Sequence, residues 1–406
     1  MHPINFTNTW HVVRLACNKT HTEGDNMVSP AKKILIIGGG FSGMAAAIQL
    51  RKQALDVDMV EIDPGWRSYG AGISLGGATL RAFKTLGILP QFLEHGAASD
   101  GVDLFLPHGL KIGSLPTPRL AGPEVPGGGA IMRPVLARIL ADATRSSGAN
   151  VRLGCTFTAM RQHADGVEVD FTDGSTHSYD LVIGADGLYS NVRASVLPEA
   201  PKPAYSGQCV WRAVLPRPPE VERAMMWLGP KIKTGVNPVS RDQMYLFVTE
   251  DRVDNVAIDP ASFAPMLSAL LAPFAAPLMQ QCRAQIDQAA ARDNLIVYRP
   301  LESLLVQQPW HIGRVVLIGD TVHATTPHMA SGACIGIEDA IVLAEELAGA
   351  TNIKQALTQF EARRWERCRM VVENSIRLGE IEITGGDKAE HAQIMRDTLI
   401  ALAAPI

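Results

Sequence analysis

The sequence predicts an α/β fold: a Rossmann-like unit with an inserted antiparallel-sheet layer and a set of C-terminal helices. Three observations predict it. The apolar run Lys33-Ile34-Leu35-Ile36-Ile37 stops at three glycines, a helical pattern follows through Ala45, Ile48 and Leu50, and a β-rich run from Val57 to Ile62 closes a βαβ unit. From about Tyr205 to Asn294 the pattern changes to alternating strands, Val210 to Val214 and Met244 to Val248, and then to proline-rich helices. Two more buried-type strands, Asp180 to Ile183 and Val315 to Ile318, each run into a glycine and an aspartate.

The remaining elements follow in order. Pro134, one residue after Arg133, opens an apolar-periodic segment through Leu140 and suits a helix N-terminus. Asp165-Gly166 and Asp173-Gly174 are hairpin turns on either side of Val167 to Phe171, which predicts a small antiparallel meander. Phe263 to Met279 is apolar but broken by Pro265, Pro273 and Pro277, so it reads as buried helices and not as a membrane span. After Ala333 the chain is expected to be helical nearly to its end, with Glu346 and the run Glu361 to Arg369 on solvated faces. The resulting division is an extension over residues 1–30, expected to be disordered, a discontinuous nucleotide domain over 31–204 and 293–350, a substrate layer over 205–292, and C-terminal helices over 351–406.

Bulk properties narrow the function classes. A chain of 406 residues with 47% apolar and 19% charged residues and net charge -4 is globular, with room to bury a cofactor and no basic patch for nucleic acid. The six cysteines (Cys17, Cys155, Cys209, Cys282, Cys334, Cys368) include no Cys-x-x-Cys pair, which argues against a zinc site or a disulfide framework and for a reducing cytoplasm. The segment before Met27 lacks the apolar stretch of a signal peptide, and Met27 is an alternative start.

Gly38-x-Gly40-x-x-Gly43 lies between a strand and a helix, where its glycines make the tight turn and the backbone N–H groups, with those of Phe41 and Ser42, meet a pyrophosphate. Glu61, followed by Ile62, ends the second strand where a carboxylate accepts hydrogen bonds from a ribose. This pattern alone fits either NAD or FAD.

Two further segments separate them. Asp180 through Asp186 to Gly187, followed by Ser190 and Arg193, and Gly313 through Gly319-Asp320, followed by His323, Pro327, Gly332 and Glu338-Asp339-Ala340, resemble the paired signatures of the class A FAD monooxygenases. These are aromatic hydroxylases related to para-hydroxybenzoate hydroxylase. With the glycine fingerprint and Arg133-x-x-Leu136, the resemblance runs in the family's order from about Lys32 to Leu347.

The resemblance implies an FAD-binding domain holding FAD noncovalently. Asp320 would accept from the ribityl chain, Arg133 would lie over the pyrophosphate, and the Asp186 segment would serve both FAD and nicotinamide. Pro327, Gly332, Ala333 and Cys334 would bring a helix N-terminus to the flavin pyrimidine edge. A helix or turn cap for Asp320 and a surface cation for Arg133 are the plainer readings. Ser331 departs from the glutamine that many relatives carry, and no thioredoxin-like domain of the kind some phenol hydroxylases carry is expected.

The implied reaction uses NAD(P)H as a transient co-substrate to reduce the flavin; O2 then adds at its C4a carbon and one oxygen passes to a small aromatic or heteroaromatic ring. The partners expected are therefore that ring and no nucleic acid or membrane, with a homodimer as one expected assembly. A flavin oxidase or reductase on the same fold, or a binding protein that has lost catalysis, would share the FAD motifs.

The candidate substrate pocket on the inserted sheet is Trp211, Arg212, Trp227, Tyr245 and Phe247, by alternation and aromatic content, although aromatics usually fill cores. His328, between Pro327 and Gly332, is the candidate catalytic base, with Tyr245 next and His323 read as structural. No metal ligand set is expected.

Overall fold

The computed structural model describes residues 29–289 and 296–406. Residues 1–28 of the N-terminal extension, with the alternative start at Met27, and the expected boundary at 292 and 293 lie outside the described residues. A six-stranded sheet runs in the order His311–Ile312, Val315–Leu317, Leu181–Gly184, Lys33–Ile37, Asp56–Glu61, Asn150–Leu153, with only His311–Ile312 antiparallel to its neighbour. Ile34, Leu35 and Ile36 are wholly buried, as a central parallel strand covered on both faces requires. The glycine-led helix Phe41–Arg51 packs closely against helix Gly332–Gly349. The meander of Phe157–Gln162, Val167–Phe171 and Thr176–Tyr179 adds Val167, Val169 and Phe171 to the same core.

The second sheet has seven strands, in the order Ile296–Ser303, Ala204–Pro216, Gln243–Asp251, Lys233–Pro238, Ala224–Leu228, Val102–Phe105, Lys111–Leu115. The last two strands come from the stretch assigned by sequence to the nucleotide domain, and Ile296–Ser303 lies beyond 292. Long-range pairing explains the difference, because Val102–Phe105 joins the sheet parallel to Ala224–Leu228 through contacts that no local pattern records.

One face of this sheet is covered by helices Phe263–Leu271 and Pro277–Ala289. The other faces the nucleotide domain across a small sheet of Gly72–Gly76, Gly128–Met132 and Ala97–Ser99. Strand parity then sorts the candidate residues. Trp211 lies opposite Val248 and Tyr298, and with Trp227 it fills the helix-covered core. Arg212 lies opposite Phe247 and Val297, and Tyr245 opposite Val214 and Asn237, all on the domain-facing side.

Helix Ile353–Thr384 spans 32 residues and crosses both domains. The expectation that Glu361 to Arg369 lies on a solvated face is corrected here. Leu357, Phe360, Glu361, Arg364, Cys368 and Val371 recur at helical spacing on one buried face, so Glu361 and Arg364 point inward. Glu361 accepts from Trp310 N at 2.6 Å and meets His311 Nδ1 at 2.5 Å. No helix of the described residues is long and apolar enough to cross a membrane.

Candidate active site

The fingerprint turn is built by close approach. Gly38, at φ 108°, donates to Val60 O at 2.9 Å, and a Cβ on Gly43 would stand 2.1 Å from Gly38 O. Gly40 caps the helix without a side chain, so the first-turn N–H groups of Phe41, Ser42 and Gly43 remain open to an anion. The Ser42 side chain is used differently: it wedges between Gly319 and Gly336, where a Cβ would come within 2.3 and 2.4 Å of its Oγ. Glu61 accepts from Gly39 N and from Asp63 N, each at 2.8 Å, which aims the carboxylate along the turn. Ile62 is left exposed beside it. Trp66, absent from the sequence-derived candidates, donates from Nε1 to Gly39 O at 2.8 Å and lies under the Arg145 guanidinium.

The end of strand Val315–Leu317 is held by a buried charged cluster. Gly319, at φ 64°, donates to Asp339 Oδ2 at 2.9 Å. The same oxygen meets His323 Nε2 at 2.6 Å, and Asp339 Oδ1 accepts from Arg364 Nε at 2.8 Å. Arg364 also reaches Glu338 at 3.1 Å, and Arg367 chelates Glu338 with two 2.7 Å bonds. Burial alone would raise the Asp339 pKa, but His323 and Arg364 bring it down to about 2. Burial would lower His323, yet Asp339 lifts it well above the usual imidazole value. His323, Asp339 and Cys368 lie close enough to suggest a metal ligand set. The hydrogen bonds from Gly319 and Arg364 already occupy the Asp339 oxygens, so the cluster reads as a charge anchor.

With Gly319 pinned, Asp320 turns outward: its carboxylate is exposed and accepts no hydrogen bond from the described residues. Arg133, at the start of helix Arg133–Ser146, faces it, with its guanidinium 5.1 Å from the centre of the Phe41 ring. Protein surrounds Arg133 although water still reaches it, and this desolvation lowers its pKa against the opposing pull of Asp320. Asp186 is placed otherwise. Its carboxylate bonds Ser190 Oγ and the backbone N–H of Asn191 and Val192, capping helix Asn191–Val196, so its side chain is unavailable to a cofactor. Its neighbours Gly187 and Arg193 hold Thr321 Oγ1 and Thr321 O at 3.1 and 2.8 Å, bracing the Asp320 turn from the other side.

Pro327 is exposed, while Gly332 and Ala333 open helix Gly332–Gly349 and are partly exposed. Cys334 turns its thiol into the core, where burial raises its pKa. The arrangement offers open backbone N–H groups and Arg133 at one end, Asp320 in the middle and a helix N-terminus beyond. That donor and acceptor set fits a dinucleotide carrying a polyol chain.

The domain-facing side of the seven-stranded sheet supplies Arg212, Tyr245 and Phe247. Tyr245 stacks against Gly72 and hydrogen-bonds Ser74 through its hydroxyl. Burial raises its pKa despite Ser74 and Arg212, so it is a neutral phenol at neutral pH and no base. Asn237, next to Tyr245 on this face and buried, makes no side-chain hydrogen bond to the described residues. Trp211 and Trp227 are corrected out of this group: Trp211 donates to Glu250 at 2.8 Å and packs on Phe263 and Tyr298, and Trp227 stacks on Phe105. Alternation told that neighbours face opposite ways but not which face meets the cofactor.

His328 also moves. Its side chain is 2% exposed, packed under the C-terminal helix with Cε1 at 3.2 Å from where a Cβ of Gly379 would stand. Nδ1 pairs with Thr326 Oγ1 at 2.8 Å, and Nε2 lies 3.5 Å from Glu382. Glu382 in turn binds Lys233 at 2.5 Å and His391 at 3.1 Å, tying the sheet, the loop and the last helix together. Burial lowers the His328 pKa more than Glu382 restores it, leaving a neutral ring turned toward the C-terminal helix. Lys233, Asn237 and Glu382 carry no local motif, and only the assembled sheet and helix reveal them.

Comparison with known proteins places these features in context. A family profile for an FAD binding domain matches residues 31–375. The chain is 32% identical over 355 residues to an aurachin C monooxygenase/isomerase from Stigmatella aurantiaca, covering 86% of this chain and 89% of that protein. It is 30% identical over 360 residues to an FAD-dependent urate hydroxylase from Klebsiella pneumoniae, covering 84% and 88%. The crystal structure of Klebsiella pneumoniae HpxO complexed with FAD and uric acid matches with TM-score 0.79 at 26% identity, over 94% of this chain and 100% of that one.

Two outcomes are expected. Asp320→Ala weakens FAD retention by the loss of a charge-assisted hydrogen bond, about 1.5–3 kcal/mol, with little change in apoprotein stability. Asp339→Ala instead destabilises the fold by about 3–5 kcal/mol, because it strands Arg364 and His323 in the core. FAD dissociation constants and urea midpoints separate the two. Asp339 is held below its unfolded pKa of 3.8, so its contribution is complete above that pH and is lost as pH falls toward about 2; His323, held above 6.5, loses its contribution only as pH rises through its raised value.

His328→Ala is expected to lower the urea midpoint while the ratio of hydroxylated product to NAD(P)H consumed stays unchanged. A collapse of that ratio in a folded variant would restore His328 as a catalytic base.

Proposed function

The chain belongs to the class A FAD-dependent monooxygenases, and from that membership we propose how its own residues divide the work. The protein is an FAD-dependent flavoprotein monooxygenase that uses NAD(P)H and O2 to hydroxylate a small aromatic or heteroaromatic compound. Bound FAD supplies the redox chemistry and oxygen activation.

The observation that carries the division of labour is the Asp320 carboxylate, unbonded among the described residues, facing the Arg133 guanidinium beside the glycine turn. In this reading the N–H groups at Gly40, Phe41, Ser42 and Gly43, together with Arg133, hold the pyrophosphate. Glu61 holds the adenosine ribose and Asp320 the ribityl chain. The N-terminus of helix Gly332–Gly349, through the backbone of Gly332, Ala333 and Cys334, stabilises negative charge on the flavin ring.

The substrate ring lies between that cofactor and the sheet face of Arg212, Asn237, Tyr245 and Phe247. Phe247 supplies an apolar wall. The Tyr245 hydroxyl, oriented by Ser74, hydrogen-bonds a ring substituent, and Asn237 offers both a donor and an acceptor. Enclosure excludes water, and the fixed dipoles orient the ring for oxygen transfer. A reducing cytoplasm suits the five described cysteines, which are all buried and free.

The test is a panel of phenols, hydroxypyridines, hydroxyquinolines and purines incubated with the yellow holoenzyme under labelled dioxygen. NAD(P)H consumption matched by ring hydroxylation that carries one labelled oxygen is the expected result. Hydrogen peroxide as the sole product with every ring would make the protein an oxidase.

A further inference from the structure

Arg212 stands out among the groups facing the substrate space. It sits mid-strand with Phe247 on one side and Val297 on the other, so its side chain must project toward the nucleotide domain. The charged and polar groups around its guanidinium are Tyr245, Arg133 and Arg299, and no carboxylate is among them. Among the described residues nothing hydrogen-bonds that guanidinium. Desolvation lowers its pKa, yet an arginine stays charged at any physiological pH.

A half-buried charge with no counter-ion is unfavourable, and no described residue supplies one here. The other cations near this space are accounted for. Arg133 faces Asp320 and, in the reading above, the cofactor pyrophosphate. Lys233 is held by Glu382 at 2.5 Å. Arg299 is exposed and donates to Tyr298 O at 3.2 Å. Among the described residues near this space, Arg212 is the half-buried cation left without a partner, beside the Asn237 amide and the Tyr245 phenol.

We infer that the pocket selects an anionic ring: a carboxylated or ring-ionised heteroaromatic whose negative oxygen pairs with the Arg212 guanidinium. The inference rests on the monooxygenase reading for the position of the flavin and adds the charge of the substrate. It also gives the site its means of activation. Where the negative oxygen is on the ring itself, the cation favours that ionised form directly. An ionised oxygen raises the electron density that oxygen transfer to a ring requires. Carboxylates and ionised ring oxygens share this chemistry, and their pH dependence separates them. Binding of a carboxylate is constant above its own pKa. Binding of a ring acid strengthens as pH rises through the ring's pKa.

The experiment titrates the FAD-loaded protein with matched probes and follows the flavin absorbance spectrum. The probes are hydroxybenzoate, hydroxynicotinate and hydroxyquinoline carboxylate, each against its carboxamide, together with uric acid and an unsubstituted 4-quinolone. Anionic members are expected to bind at least tenfold more tightly than their neutral partners. Arg212→Gln should lose about tenfold to a hundredfold of that affinity at unchanged FAD content, and Arg212→Lys should recover part of it. Equal binding of acid and amide, tighter binding of the neutral quinolone, or failure of every anion to bind would overturn the inference. The wild-type comparison decides even if a variant fails to fold. A protein that holds FAD and hydroxylates neutral rings loses only this inference; one that purifies without FAD loses the functional reading beneath it.

Discussion

The hydrogen bond from Gly319 N to Asp339 is the constraint on which the site depends. A glycine in the left-handed region ends the strand, and the buried carboxylate fixes where the chain turns. Asp339 can remain ionised in the core because His323 and Arg364 surround it, and Arg364 is shared with Glu338, which Arg367 also holds. Four charged side chains and a histidine therefore serve to present one outward carboxylate, Asp320. Such clusters gain little net stability over a hydrophobic core, and their value lies in specifying one geometry. The same turn is braced from its other side by Gly187 and Arg193, so two distant sequence segments meet at one backbone position.

Around that turn the molecule is two layers facing each other. The nucleotide domain brings glycine backbone and a few charges, and the second sheet brings a face with one aromatic wall, one phenol, one amide and one arginine. Helix Ile353–Thr384 spans the join, and Glu382 near its end gathers Lys233 from the sheet, His328 from the loop and His391 from the last helix. The loop before helix Gly332–Gly349 is thereby tied to the seven-stranded sheet through a carboxylate that hydrogen bonding to His328 and His391 and the Lys233 charge hold well below its usual pKa, against the opposing effect of burial.

Legibility in the sequence followed the range of the interaction. The positions of the Gly38 to Gly43 turn, Glu61 and Asp320 at strand ends were readable because each rests on neighbours within one βαβ unit or one strand end. Parity along the inserted strands was readable too, but the choice between Trp211 and Arg212 was not, since it depends on which face the helices Phe263–Leu271 and Pro277–Ala289 cover. His328 lay in the expected loop, and its ring direction was set by a helix fifty residues on, at Gly379 and Glu382. Glu361 and Arg364 looked solvated by composition, although helical spacing with Leu357, Phe360 and Cys368 already placed them on the buried stripe. Asp186 matched a signature, and its side chain is spent as a helix cap.

In the proposed reading Asp320 and the glycine turn grip opposite parts of one FAD molecule while His328 faces away from it. A crystal structure of the FAD-loaded protein tests this most directly. A ribityl hydroxyl within about 3 Å of the Asp320 carboxylate is the expected result. The pyrophosphate should lie against the N–H groups of Phe41 to Gly43 beside Arg133, with His328 still buried against Gly379. A flavin ring in contact with the His328 imidazole, or an Asp320 carboxylate turned away from the cofactor, would contradict it.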